Sequence, residues 1–147
     1  MNGFKNREGP IMPKVIIKTN KAPKAIGPYS QAVTVDEKTL VFIAGQISLD
    51  PKTNDPISGG VGTETRQVLE NLKAILEAAG SGMDMVVKTT VFLSSMDDFP
   101  VMNEVYEQYF KQNPPARSTV EVSRLPKGAK VEIDAVAFVK EKAGKGE

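Results

Sequence analysis

The sequence contains no cysteine, no histidine and no tryptophan. Without thiols it cannot carry a disulfide framework, and without imidazoles or thiolates it cannot build the usual zinc sites, a Ser-His-Asp triad or a Cys-His nucleophile. No metal and no cofactor are expected, and any catalysis must use Arg, Lys, Asp, Glu, Tyr, hydroxyls and backbone groups. Aromatics are only 6% and the formal net charge is +1. Nothing favours base stacking or a global pull towards phosphate backbones, so nucleic acid and membrane are not expected partners. A small anion would need a local positive pocket. No stretch approaches the roughly 18 consecutive apolar residues of a membrane span, and residues 1–11 lack the apolar centre of a secretory signal. A soluble, cytoplasmic protein is expected.

At 147 residues and 40% apolar, the chain suits one domain with one core. Residues 1–11 read as a flexible extension, 12–141 as the domain and 142–147 as a flexible tail. Strands are expected near Val15–Thr19, Gln31–Val35 and Thr39–Ile47, with a hairpin turn at Asp36–Lys38. The stripe Val68, Leu69, Leu72, Ile75, Leu76 and Ala79 predicts a helix, with Thr63 as N-cap and Gly80 as C′ residue. Met85–Leu93 reads as a buried strand. Asp97–Lys111 reads as a second helix, presenting Met102, Val105, Tyr106, Tyr109 and Phe110 on one face and stopped by Asn113-Pro114-Pro115. Ser118–Ser123 and Lys130–Val139 complete a βββαβαββ order. The economical α+β architecture is one mixed six-stranded sheet with two helices on one face, its other face covered by oligomerisation.

Arg117 follows Pro114-Pro115-Ala116, which restricts its backbone as a loop residue, and a guanidinium held there could clamp a carboxylate bidentately. From spacing alone a solvated surface Arg is the commoner reading. In the last strand Val131, Ile133, Ala135, Ala137 and Val139 face one way, leaving Glu132 on the other face. There it could orient a water, or could be an ordinary solvent-facing acid. Gly27-Pro28-Tyr29-Ser30 sets an aromatic after a turn, and Gly45-Gln46 ends a strand where backbone can approach a ligand. Gly59-Gly60-Val61-Gly62 lacks both phosphate-binding glycine spacings and reads as a loop.

Five segments occur in order: Ala25-Ile26-Gly27-Pro28-Tyr29-Ser30-Gln31, Ala44-Gly45-Gln46-Ile47, Val87-Lys88-Thr89-Thr90-Val91-Phe92, Pro115-Ala116-Arg117-Ser118, and Leu125 through Ile133. With them the chain resembles the RidA/YjgF family, also called the endoribonuclease L-PSP family, from about Ile16 to Val139. The resemblance implies a chorismate-mutase-like fold and a homotrimer with sites between subunits. It implies hydrolysis of reactive 2-enamino and 2-imino acids, such as 2-aminoacrylate and 2-iminobutyrate, to 2-keto acids and ammonia, which protects pyridoxal-phosphate enzymes from damage. Arg117 would clamp the substrate carboxylate and Glu132 would hold the hydrolytic water. Tyr29 would be a pocket wall, Gly45 a backbone contact, Asn103 a polar neighbour of the cleft, and Thr119 would contribute backbone groups where many relatives have Cys. Many relatives carry Ser where this chain has Ala44. A binding protein that senses 2-keto acids is the main alternative, ahead of an endoribonuclease, translation inhibitor or holdase.

Overall fold

In the computed structural model, residues 14–22, 24–36 and 39–139 are described. The elements are β1 (Lys14–Ile17), β2 (Ala32–Val35), β3 (Leu40–Gln46), α1 (Val61–Ala78), β4 (Val86–Leu93), α2 (Phe99–Tyr109), β5 (Ala116–Glu121) and β6 (Val131–Phe138). The expected βββαβαββ order is present. The expected extension and tail, 1–11 and 142–147, and most of the hairpin turn at 36–38 lie outside the described residues.

The strands do not form one six-stranded sheet. Strands β3, β6, β4 and β5 make a mixed four-stranded sheet in that order, with β5 parallel to β4 and the other pairs antiparallel. Strand β2 pairs antiparallel with β1 in a separate ladder. The split follows from the pairing edges: β3 joins β6, the far end of the chain, rather than its sequence neighbour β2.

Val68, Leu69, Leu72 and Leu76 of α1 are fully buried against the sheet, with Met102 and Tyr106 of α2 beside them. Each such large apolar side chain contributes about 1.5–3 kcal/mol on burial. Helix α1 begins three residues earlier than Thr63 as N-cap would require. Gly60 occupies the cap, and its carbonyl accepts from the Glu64 amide at 3.0 Å, leaving Thr63 inside the first turn. Gly80 has φ 79°, the left-handed conformation that suits a glycine after a helix end. Before α2, a short 3-10 turn at Met96–Asp98 is capped by Ser95 Oγ, which accepts from the Asp97 amide at 3.2 Å.

In β6 the period-2 pattern holds. Val131, Ile133, Ala135 and Ala137 are buried under the helices, whereas Glu132, Asp134 and Val136 are half-buried on the other face. That open face carries Phe42, which is 74% exposed, together with the exposed Leu40 and Val120.

Candidate functional site

Arg117 lies on β5, not in a loop as its proline-rich lead predicted, because parallel pairing with β4 already begins at Ala116. Its register partner is Thr89, which in turn faces Ala135, so its side chain projects to the helix side of the sheet. There Nη1 donates to Asn103 Oδ1 at 2.8 Å. The guanidinium carbon sits 4.8 Å from the ring centre of Tyr106, 5.6 Å from that of Phe99 and 5.8 Å from that of Tyr29. All three distances are within cation–π range. Burial lowers the pKa of this guanidinium, and the two tyrosines oppose that shift. The result is a half-buried, preoriented cation whose side-chain hydrogen-bond partner is a neutral amide, with no ion pair among the described residues.

The cage depends on a clamp between two loops. Buried Ser30 donates its backbone N–H to Pro115 O at 3.1 Å and its hydroxyl to Pro114 O, tying the Tyr29 turn to the residues that lead into Arg117. Tyr106 is fixed by a 2.8 Å hydrogen bond between its hydroxyl and Thr89 Oγ1. Its burial pushes its pKa up to about 12, against smaller lowering effects from Thr89 and Arg117. Phe99, Tyr106, Ser30 and Thr89 were not singled out as site residues. The available signal was Tyr106, a hydroxyl-bearing ring within a buried helical stripe, which needs a polar partner.

Glu132 stands elsewhere. Its register partner on β4 is Phe92, three residues from the Thr89 that pairs with Arg117, and no bulge intervenes. An odd offset in a strand reverses the face, so Glu132 and Arg117 project from opposite sides of the sheet. Glu132 packs against Gly45. A Cβ built on Gly45 would fall 2.5 Å from Glu132 Oε2, so the missing side chain is what leaves room for the carboxylate. Gly45 lies where β3 shifts register between Ile43 and Gln46, and Ala44 beside it is exposed. Thr119 shares the Arg117 face two residues along β5, and its hydroxyl is buried with no hydrogen-bond partner among the described residues. A single chain therefore gathers Arg117, Asn103, Tyr29 and Thr119 on one face, and Glu132 with Gly45 on the other.

The Endoribonuclease L-PSP family profile matches residues 19–139. The chain belongs to the RidA/YjgF family. Among its relatives, a RutC family protein of Pyrococcus horikoshii is 55% identical, the alignment covering 85% of this chain and 98% of that protein. The human protein named 2-iminobutanoate/2-iminopropanoate deaminase is 53% identical, with 84% of this chain and 88% of that protein covered. Among solved structures, E. coli TdcF with bound serine superposes with a TM-score of 0.65 at 45% identity, covering 84% of this chain and 98% of that one. RidA from an Antarctic Psychrobacter gives a TM-score of 0.66 at 44% identity, covering 85% and 99%. Among the described residues no helix is long and apolar enough to cross a membrane.

Proposed function

We propose that this RidA-family chain hydrolyses 2-imino acids, formed by tautomerisation of 2-enamino acids, to 2-keto acids and ammonia. We propose further that it does so as a homotrimer whose sites are completed between chains. The observation that carries the reading is the caged Arg117 guanidinium, a half-buried cation with no anionic partner among the described residues. Removing charge from water is costly unless a counter-charge arrives, so the site favours a small carboxylate that the planar fork can hold by two parallel hydrogen bonds. The deaminase name of the human relative and the serine bound to TdcF support an amino-acid-like ligand of this kind.

In this reading the substrate carboxylate docks on Arg117, with Tyr29 as wall and Asn103 fixing the guanidinium. Glu132 accepts a proton from a water whose oxygen bonds to C2 of the iminium. Glu132 returns that proton to the carbinolamine nitrogen, the C2–N bond breaks to release ammonia, and the hydroxyl gives its own proton back to Glu132 as C2–O becomes the keto C=O. An iminium carbon is already electrophilic, so positioning and one carboxylate suffice, and neither imidazole nor thiolate is needed. Because Glu132 projects from the opposite face, the acid in each site is supplied by a neighbouring chain. Packing of the open face, with exposed Phe42, Leu40 and Val120, against that neighbour brings the two together. Localisation in the cytoplasm accords with substrates released by pyridoxal-phosphate dehydratases.

The test is keto-acid formation from 2-iminobutyrate generated by an amino-acid oxidase in competition with semicarbazide. Wild type should outrun the trap and Arg117→Ala, still folded, should not. Binding of 2-ketobutyrate without turnover in wild type would refute the enzyme and support a sensor.

A further inference from the structure

Next to the Arg117 cage lies a cleft of about 430 Å³, one wall of which is Tyr29. Its lining includes Lys18, Lys24, Asn20 and Asn113, and among the described residues no carboxylate lines it. Both lysines are exposed, and neither has a carboxylate partner among the described residues. Their placement is not that of a loose loop. The Gln31 side chain accepts from the Thr19 amide at 2.8 Å and donates to the carbonyls of Thr19 at 3.1 Å and Ala22 at 3.4 Å. This ties Thr19 and Ala22, which lie between the two lysines, to the residue just before β2. The same Tyr29 ring faces the cleft and stacks on Arg117, so cleft and cage share a wall.

We infer that this cleft is an anion-collecting approach to the Arg117 site, in which Lys18 and Lys24 concentrate small carboxylates before the guanidinium captures them. The inference rests on the carboxylate-clamp reading of Arg117. The chain as a whole is nearly neutral, with a net charge of +1, so long-range attraction of an anion must come from local asymmetry. Two cations in a lining that, among the described residues, holds no carboxylate provide that asymmetry. Their field reaches about a Debye length, roughly 8 Å at physiological salt and 30 Å at 0.01 M, so its effect must fade as ionic strength rises.

The experiment is an NMR titration of 2-ketobutyrate into full-length wild type, Lys18→Gln/Lys24→Gln and Arg117→Ala, at low and at high ionic strength. Neither lysine belongs to the proposed reaction machinery, and both are exposed, so the double variant should fold as wild type does. At low salt the double variant should bind about three- to fivefold more weakly than wild type, and at high salt the two should converge. Equal affinity and equal salt dependence in wild type and the double variant, with binding lost in Arg117→Ala, would overturn the approach role alone. Wild-type binding that survives Arg117→Ala would overturn the clamp and this inference together.

Discussion

Gly45→Ala tests whether the position of Glu132 matters to the proposed chemistry. The new methyl would lie 2.5 Å from Oε2, 2.7 Å from Cδ and 3.0 Å from Cγ of Glu132. Ordinary contact begins at 3.4 Å, so the carboxylate must retreat by about 0.9 Å, and displacements of about 1 Å can cost roughly 100-fold in rate. Gly45 is not among the glycines with positive φ, so the backbone tolerates alanine. The Glu132 side chain, half-buried at the open face, can turn aside for about 0.5–1.5 kcal/mol. Imine turnover against semicarbazide should therefore drop by one to two orders of magnitude, while thermal unfolding moves by only a few degrees. Glu132→Gln supplies the control. If the methyl acts through Glu132, Gly45→Ala/Glu132→Gln should be no slower than Glu132→Gln alone. Wild-type turnover in Gly45→Ala, or additive losses in the double variant, would refute the reasoning.

Ser30→Ala removes the hydroxyl that donates to Pro114 O and should cost about 1 kcal/mol of stability. It should also weaken 2-ketobutyrate binding several-fold by loosening Tyr29 from Arg117; an unchanged Kd would show that the clamp does not shape the site. The Tyr106 phenol ionises near 12 in the fold against 10.0 ordinarily. Its contribution to stability is thus fully present below pH 10 and is lost as pH rises through 12. Urea midpoints should fall across that window in wild type and less steeply in Tyr106→Phe; parallel profiles would contradict it. At neutral pH the same variant leaves Thr89 without its partner and should be less stable by about 1–3 kcal/mol. Thr119→Val replaces a buried hydroxyl that lacks a hydrogen bond and should be neutral or stabilising by up to about 1 kcal/mol. A clear loss in the melting temperature would mean that this hydroxyl has a partner in the assembled protein.

The sequence by itself determined the order and type of the elements, because hydrophobic periodicity and chain-breaking residues act over a few neighbours. The stripe from Val68 to Leu76 and the alternation of β6 belong to this class, whereas α2 already ends at Tyr109, ahead of the expected stop at Asn113-Pro114-Pro115. It also determined the family, through short motifs in a constant order, and with it the prominence of Arg117 and Glu132. The exclusion of imidazole and thiol chemistry needed only the composition. Tertiary structure decided the rest. Alternation within a strand fixes which residues share a face of that strand, but only register across strands reveals that Arg117 and Glu132 point apart. Pairing also moved Arg117 from a loop into β5 and separated β1 and β2 from the main sheet. The ring cage joins Tyr29, Phe99 and Tyr106, residues up to 77 positions apart, around one guanidinium. No local pattern specifies that convergence, because it depends on how β5, α2 and the Tyr29 turn pack together.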